Sequence, residues 1–452
     1  MSDTIAAVST GTQVCAIGIV RMSGSKAIDI ADRLFSPVSG RKMADCEDRK
    51  LIYGKLCDEQ GRLLDICLCT ISRAPNSYTG EDTAEFQCHG SPVVLRAVLE
   101  AAFSLGARQA LPGEFTKRAF LNGRMDLSGA EAVADIIDAE TAEAARNAAG
   151  QLGGAISRRI DEIYGALTDI SSHYHAVLDY PDEDIEDFTL ARYEEDIERC
   201  TAVLESLRAS YDSGKLLHSG VPAAIVGRPN AGKSSLLNAV LGYDRAIVTD
   251  IPGTTRDTIE EKLRLGGVLL RLTDTAGIRD TDDEIERMGV TRSRRAMEQA
   301  ELVLAVIDGS REMTCEDLEL IKCAERAPHG IVILSKYDLG SLSKMPETTL
   351  PVIEISSVTG EGLSTLEDTV RALFPMPAAP AGEILTNARQ FDAVSRALES
   401  MKAAGDAMRS GCTPDIVLTE TETAMAALGE LTGRTVREEV TNRIFERFCV
   451  GK

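Results

Sequence analysis

The segment Gly227-Arg228-Pro229-Asn230-Ala231-Gly232-Lys233-Ser234 decides the fold of the central part of the chain. It follows the apolar run 223–226, which predicts a strand, and it opens the run 235–241, which predicts a helix. Glycines let backbone amides turn toward a phosphate, and the helix N-terminus adds a favourable dipole. Lys233 then reaches phosphate oxygens while the Ser234 hydroxyl ligates magnesium. A ligand-free glycine turn does not explain this lysine-serine pair, so the segment predicts a phosphate-binding loop.

Two later segments fit the γ-phosphate side of the same nucleotide. Gly253-Thr254-Thr255-Arg256-Asp257 lies in a predicted loop, where a threonine completes the magnesium shell. The predicted strand 270–272 leads into Asp274-Thr275-Ala276-Gly277, which brings Asp274 near magnesium and Gly277 to the γ-phosphate. In this order the segments indicate a nucleoside triphosphate that is hydrolysed.

Two further segments fit the base. Ser335-Lys336-Tyr337-Asp338 follows the predicted strand 331–334, and Asp338 can accept hydrogen bonds from guanine N1 and N2. The segment 353–357, followed by Val358, supplies the last base-side loop. Guanine is therefore predicted rather than adenine.

The chain departs from the usual GTPase pattern at three positions. Ser335 stands where Asn is usual, and Ser356-Ser357-Val358 stands where Ser-Ala followed by Lys or Leu is usual. One contact around the base would then be lost, at a cost on the order of 1 kcal/mol, with guanine preference retained. Ile278 occupies the position of the water-orienting Gln of many small GTPases. Glu284 and Glu286 are candidates for that role, although solvated loop charges are the plainer interpretation.

Composition describes a folded chain of several domains. Its 452 residues suggest roughly three domains. The net charge of −22 argues against a general polyanion binder, so any RNA would need a local basic patch or a basic partner. No apolar run approaches the roughly 20 residues of a membrane span, and the first residues lack a secretory signal. A cytoplasmic location without membrane attachment is expected.

The eleven cysteines do not pair into an evident framework. They include no Cys-x-x-Cys motif, so neither disulfides nor a zinc site is predicted. Cys67 and Cys69 lie on one face of the predicted strand 63–71, where core packing is favoured over redox chemistry.

The order of apolar patterns predicts a multidomain α/β protein. An α+β module comes first, and from about 127 to 211 a helical stripe runs through Leu152, Ile156, Ile160 and later residues. The turn-forming segments 212–214 and 220–222 precede a strand-rich block, and helical spacing of apolar residues returns after 380. We therefore predict domains at 1–120 (α+β), 121–217 (helical, first part), 218–376 (α/β, nucleotide-binding) and 377–452 (helical, second part). The α/β block is expected to be inserted into one helical domain built from two chain segments.

Five blocks outside the nucleotide segments resemble one family. They are 19–24, 76–82, 89–90, 112–115 with 118–122, and the ending Phe448-Cys449-Val450-Gly451-Lys452. Together with the nucleotide segments they make the whole chain similar to the MnmE (TrmE) family of tRNA modification GTPases. The resemblance implies a one-carbon-protein-like N-terminal domain, a Ras-like G domain inserted in the helical domain, and a homodimer whose G domains meet across their nucleotide faces.

The resemblance also implies roles for single residues of the G domain. Potassium would lie against Asn230, Thr249, Ile251 and Thr254, magnesium against Ser234 and Thr255, and Glu286 would orient the attacking water indirectly. The residues expected to bind GTP are Asn230, Ala231, Gly232, Lys233, Ser234, Ser235, Thr249, Asp250, Ile251, Pro252, Gly253, Thr254, Thr255, Asp274, Thr275, Ala276, Gly277, Ser335, Lys336, Asp338, Ser356, Ser357 and Val358.

In the N-terminal domain the resemblance implies a 5-formyl- or 5,10-methylene-tetrahydrofolate site. Arg21, Glu85, Arg124 and Lys452 match its binding positions, and Cys449 would lie beside the folate with an open chemical role. Taken without the resemblance, each of these charges is a surface charge.

The family works on tRNA with an MnmG-type subunit that carries FAD. Together they form a heterotetramer or larger complex that adds an aminomethyl or carboxymethylaminomethyl group to C5 of the wobble uridine. This chain has no Gly-x-Gly-x-x-Gly after a strand, so flavin chemistry is expected on the partner. Two alternatives are a ribosome-assembly GTPase of the Era or EngA type and a folate-binding scaffold with a weak G domain.

Overall fold

A computed structural model describes residues 3–11, 13–179, 190–243, 261–272, 299–340, 347–375, 380–435, 438–446 and 448–451. The chain divides into two compact units. The first combines Met1–Ile137, Ala148–Leu204 and Ala393–Lys452, and the second combines Asp138–Asn147 and Glu205–Asp392. None of the described helices is long and apolar enough to cross a membrane.

A seven-stranded sheet forms the N-terminal part of the first unit, in the order β3-β4-β5-β6-β2-β1-β7. Its strands are β1 (Ile5–Val8), β2 (Ile17–Ser23), β3 (Phe35–Pro37), β4 (Ile52–Cys57), β5 (Leu63–Ser72), β6 (Thr83–His89) and β7 (Arg108–Gln109). The helices of this part are α1 (Ala27–Leu34), α2 (Pro92–Ser104) and α3 (Glu114–Leu121). Helices α1 and α2 pack on the sheet, and their apolar sides close a core with Val20, Phe35 and Phe86.

Long helices make up the rest of the first unit and extend into the second. They are α4 (Leu127–Asp138), α5 (Ala142–Leu152), α6 (Ala155–Asp179), α7 (Leu190–Ala209) and, after the α/β block, α12 (Ala388–Arg409), α13 (Pro414–Thr432) and α14 (Glu438–Phe445). Helix α6 buries Ile156, Ile160, Ile163, Leu167 and Ile170, and it packs against α13. The helical domain is thus built from two segments on either side of the α/β block, as the stripes predicted.

The second unit holds a six-stranded sheet in the order β13-β12-β11-β8-β10-β9. Its elements are α8 (Tyr211–Ser219), β8 (Val221–Val226), α9 (Lys233–Tyr243), β9 (Glu261–Leu265), β10 (Val268–Leu272), β11 (Leu302–Asp308), α10 (Cys315–Ala324), β12 (His329–Ser335), β13 (Val352–Glu354) and α11 (Leu363–Leu373). All strand pairs are parallel except β9 with β10. Strand β11 is buried along its whole length, which explains its unbroken apolar sequence.

Two local predictions differ from the structure. Leu152 ends α5, and the break at Gly153-Gly154, with Gly154 at φ +78°, separates it from the stripe of α6. The sequence predicts a break between domains at Gly214, but this residue lies inside α8 and packs against the backbone of Leu385. A Cβ at Gly214 would lie 2.0 Å from the Leu385 carbonyl oxygen, so this glycine serves close packing rather than a turn.

The C-terminal tail closes on the N-terminal sheet. Val450 forms an antiparallel bridge with Pro112, and the Ser9 hydroxyl donates to the Gly451 carbonyl over 3.0 Å. Gly451 has φ +98°, and a Cβ there would lie 2.2 Å from the Val8 carbonyl oxygen. The last described residues of the chain therefore depend on a glycine to reach β1.

We expect Gly451→Ala to release this tail. The substitution combines a left-handed backbone with a steric clash, and such strain costs on the order of 1–3 kcal/mol. Hydrogen-deuterium exchange in β1 and at 448–451 should accelerate by about tenfold or more. Gly411→Ala is the matched control, because Gly411 has φ +64° but open space around its Cβ position. Equal exchange at the tail in both variants would contradict this account.

Candidate functional site

The carboxyl ends of β8, β11 and β12 meet at one edge of the six-stranded sheet. Register pairs Ala305 with Val226, and Asp308 with Ser335. The loops that follow these three strands therefore emerge side by side, which is where open parallel sheets bind ligands. The predicted phosphate-binding loop follows β8, and the predicted base-binding segment follows β12.

The backbone of the phosphate-binding loop is shaped by close packing and by left-handed residues. A Cβ at Gly227 would lie 2.4 Å from the Val306 carbonyl oxygen, so only glycine fits against β11. Asn230 has φ +59° and Gly232 has φ +95°. These conformations turn the chain into the N-terminus of α9, where backbone amides and the helix dipole favour an anion.

The ammonium group of Lys233 bends back over this loop. Its Nζ donates to the carbonyl oxygens of Gly227 at 2.7 Å and Arg228 at 2.9 Å. Burial lowers the pKa of Lys233, because the charged form is deprived of solvent. The loop carbonyls hold the ammonium at the mouth of the loop, and a bound phosphate would restore favourable charge around it.

Ser335 ties the base side of the site to the phosphate side. Its buried hydroxyl lies 2.5 Å from the Ala231 carbonyl oxygen and 3.0 Å from that of Ile307. A hydroxyl has one proton, so it donates to one of these oxygens at a time. Although Ser is shorter than the usual Asn, it keeps a contact with the phosphate-binding loop.

Lys336 has φ +59°, and its Nζ donates to Asp308 over 2.8 Å. Burial raises the pKa of Asp308, but hydrogen bonds from Lys336 and Ser310 outweigh it, so this pKa lies below that of an ordinary aspartate. Asp308 is therefore charged at neutral pH. Sequence reasoning missed it, because the pairing joins the ends of two strands.

Asp338 is exposed and accepts a hydrogen bond from the buried Ser356 hydroxyl over 2.8 Å. Ser356 also accepts from the Thr359 amide over 3.2 Å and so fixes the turn of the last base-side loop. Ser357 is half-buried beside it, whereas the Val358 side chain is 85% exposed. The structure thus brings Asp338 and Ser356 together at the predicted base site.

Other predicted residues of this site sit on its exposed rim or beyond the described chain. Ser234 and Ser235 are exposed in the first turn of α9. Twelve predicted residues lie outside the described ranges: Thr249, Asp250, Ile251, Pro252, Gly253, Thr254, Thr255, Asp274, Thr275, Ala276, Gly277 and Glu286.

A second group of predicted residues lies on the N-terminal sheet. Register pairs Arg21 of β2 with Glu85 of β6, and Arg21 Nε donates to Glu85 Oε1 over 2.7 Å. The Arg21 guanidinium lies 5.4 Å from the ring centre of Tyr78 and 5.8 Å from that of Phe115. These cation-π contacts hold the guanidinium against the sheet.

The remaining predicted residues of this domain are less closely tied together. Arg124 is exposed, and its side chain runs beside Gly80. Cys449 is exposed, and its carbonyl accepts from the Gly113 amide over 3.3 Å. The predicted residue Lys452 lies outside the described ranges.

A buried ion cluster that sequence reasoning did not assign supports this domain. Arg118 is 8% exposed, and it donates to Glu81 at 2.9 Å, Glu114 at 2.9 Å and Asp3 at 2.7 Å. Burial lowers the pKa of Arg118, but its bonds to Glu81 and Glu114 raise it above the ordinary value. In the sequence, only the charged residues within the blocks that resemble the family could have pointed to this ion cluster.

Ser335→Ala tests the contact across the nucleotide site. Removal of the hydroxyl should weaken the affinity for GDP and GTP by about two- to tenfold, which is the net contribution of one hydrogen bond. The variant should still not bind ATP. Titration with a fluorescent guanine nucleotide measures this. Thr369→Ala is the control, because it removes a hydroxyl-to-carbonyl bond of 2.7 Å on exposed α11. Unchanged affinity in Ser335→Ala, or equal loss in both variants, would refute the assignment.

Comparisons with known proteins agree along the chain. Residues 4–124 match the model of the GTP-binding protein TrmE N-terminus, and residues 127–449 match that of the MnmE helical domain. The tRNA modification GTPase MnmE of Thermoanaerobacter pseudethanolicus is 42% identical over 100% of this chain and 99% of its own length. That of Clostridioides difficile is 40% identical over 100% of both chains.

Among solved structures, Era in complex with MgGDPNP and 16S ribosomal RNA nucleotides is 25% identical, covering 40% of this chain and 66% of that chain, with a TM-score of 0.27. The two family models and the full-length relatives decide the assignment. The chain belongs to the MnmE family of tRNA modification GTPases.

Proposed function

We propose that this GTP hydrolase is potassium-dependent and acts with an FAD-containing partner on tRNA. The pair would add an aminomethyl or carboxymethylaminomethyl group to C5 of the wobble uridine, U34. The observation that carries the proposal is the loop 227–234, because its left-handed Asn230 stands beside the phosphate lysine in a chain similar to MnmE along its whole length.

The residues of the G domain divide the work of hydrolysis. Lys233 would bind the β- and γ-phosphates, and the exposed Ser234 hydroxyl would hold magnesium together with Thr255. Asp338, oriented by Ser356, would accept hydrogen bonds from guanine N1 and N2. Hydrolysis then depends on positioning and charge stabilisation more than on covalent chemistry by the protein.

Potassium fits the donor that Asn230 offers. The side chain is exposed at the tip of the loop, and its amide oxygen is a hard donor suited to an alkali cation. Thr249, Ile251 and Thr254 would supply the other oxygens. Bound potassium would supply positive charge where negative charge develops between the β- and γ-phosphates, which is the role of an arginine finger elsewhere.

The N-terminal domain would bind a tetrahydrofolate derivative, in 5-formyl or 5,10-methylene form. Arg21 and Glu85 form a preorganised pair on the sheet, and Arg124, Lys452 and the thiol of Cys449 would complete the site. A carboxylate-arginine pair suits a ligand with both donors and acceptors, such as a pterin ring. The proposed assembly is a homodimer that joins the MnmG-type subunit.

The proposed division of labour with the partner follows charge and cofactor chemistry. This chain carries a net charge of −22, so a basic partner surface would grip much of the tRNA. Flavin redox chemistry would likewise lie on the partner, while this chain contributes GTP hydrolysis and the one-carbon donor. The proposed location is cytoplasmic.

GTP turnover in potassium against sodium tests the cation. Hydrolysis should be faster in potassium, and Asn230→Ala should lose most of this stimulation while its sodium rate is retained. Asn238→Ala, an exposed asparagine on α9, is the matched control and should respond as the parent chain does. Turnover that ignores the cation in the parent chain would overturn potassium dependence.

The same assay with the FAD-containing subunit and tRNA tests the partner. Addition of both should raise turnover, and tRNA analysed by mass spectrometry should carry the modified U34. Turnover and tRNA that are both unchanged by the subunit would refute the proposed partnership.

Glu286→Ala tests the proposed role in orienting water. Turnover should fall by about 10²-fold, the scale of a lost acid-base or positioning group, whereas GDP binding should be unchanged. Glu284→Ala controls for the removal of a nearby acidic charge and should hydrolyse GTP normally. Equal loss of binding and turnover in Glu286→Ala would contradict the role.

A further inference from the structure

Two buried cysteines lie opposite each other on neighbouring strands of the N-terminal sheet. Register pairs Leu68 of β5 with Gln87 of β6, so the next position brings Cys67 opposite Cys88. Both thiols point into the core, because Cys67 is 6% and Cys88 is 1% exposed. A local pattern could not show this pair, since the two residues belong to different strands.

A carboxylate joins the two thiols. Asp65 lies two residues before Cys67 on the same face of β5, and its side chain is 10% exposed. Its oxygen and the two sulfur atoms all lie within 4.8 Å of one another. Within the described ranges, these residues form the one group of this kind found.

His89 fixes the carboxylate in place. Its backbone amide donates to Asp65 Oδ2 over 2.8 Å, and its ring Nδ1 lies 2.8 Å from Asp65 Oδ1. Two contacts from one residue orient Asp65 toward the thiols. Core packing alone accounts for two buried cysteines, but it gives no reason for a histidine-held carboxylate beside them.

This geometry suits a tetrahedral thiophilic cation. Zinc binds thiolate sulfur at about 2.3 Å and carboxylate oxygen at about 2.0–2.2 Å, which separates tetrahedral ligand atoms by about 3.8 Å or less. The three atoms are therefore within about 1 Å of a zinc-binding arrangement. We propose that Asp65, Cys67 and Cys88 form a zinc site, with His89 as a positioning residue and a water in the fourth place.

Charge balance agrees with this assignment. Zinc binding would release both thiol protons and leave two thiolates and one carboxylate around a divalent cation. The site would link β5 to the C-terminal end of β6, and zinc binding there would not depend on GTP.

Metal titration of the full-length, reduced protein tests the proposal. Zinc is added in competition with a chromogenic chelator, and cobalt is added separately to report sulfur ligation by its thiolate charge-transfer absorption. The parent chain should bind one tight equivalent and show the absorption band. Cys67→Ala and Cys88→Ala should each lose the band and weaken zinc binding by at least about 10²-fold.

Cys69→Ala is the matched control, because Cys69 is buried on the same face of β5 but lies outside the three-atom group. It should keep the stoichiometry and the band. His89→Ala should keep the band but bind zinc about 10- to 100-fold more weakly, and His89→Gln, which can still donate to Asp65, should recover part of that loss.

Circular dichroism melting of each variant confirms that it is folded. Added zinc should raise the melting temperature of the parent and of Cys69→Ala, should do so for the two His89 variants only at higher zinc concentration, and should leave Cys67→Ala and Cys88→Ala unchanged. The proposal fails if the parent shows no cobalt-thiolate band or no tight equivalent. It also fails if Cys69→Ala loses binding as far as Cys67→Ala does, since the loss would then not be specific to the three-atom group.

Discussion

The packing of α6 against α13 is the constraint on which the chain order depends. The buried face of α6 is a continuous row of isoleucine and leucine, and its partner α13 buries Val417, Ala424 and Leu428. Most of the stability of this 25-residue helix comes from packing its apolar face against a partner. Since α13 follows the whole α/β block in the chain, the contacts that close the helical domain join residues far apart in sequence. The G domain is therefore an insertion, because the two helices that pack together, α6 and α13, lie before and after it in the chain.

Inside the G domain, one serine links the two ends of the nucleotide site. Ser335 touches the carbonyls of Ala231 and Ile307, so it connects the phosphate-binding loop, β11 and β12. The replacement of asparagine by serine therefore keeps the phosphate loop anchored and shortens the reach toward the base. The expected weakening of nucleotide binding belongs to the base contact, and the loop retains its shape for phosphate and cation.

The central strands β11 and β12 of the G domain were predictable from sequence because both of their faces are covered. Apolar runs at 302–307 and 331–334 gave β11 and β12 to within two residues at either end. The predicted stripe was wrong at its first residue, Leu152, because residue spacing alone does not reveal the helix break at Gly153-Gly154. The prediction of a domain break at Gly214 was also wrong. Its role depends on a tertiary contact with Leu385, which the local sequence does not reveal.

The nucleotide site divides in the same way. Segments that directly follow a strand, such as 227–234 and 335–338, carry their chemistry in local sequence. The pairings Asp308 with Lys336 and Ser335 with Ala231 join distant segments, and no local pattern encodes them. The Asp65, Cys67 and Cys88 group is likewise invisible before the register of β5 and β6 is known. The sequence-based expectation of no zinc site rested on Cys-x-x-Cys spacing, which cross-strand ligands do not need.

The ion cluster around Arg118 explains why two separated sequence blocks occur together. Glu81 accepts from Arg118 and also from Ser23, so the loop before β6 is held by a residue of α3. The same loop carries Tyr78, whose ring supports Arg21. Asp3, Glu81 and Glu114 together bear three negative charges against two on Arg108 and Arg118. Arg118, Glu81 and Glu114 are the covered part of this set, and loss of any one of them would leave a covered charge without its partner, which is costly. The Arg118 cluster therefore positions Arg21 indirectly, through the loop that carries both Glu81 and Tyr78.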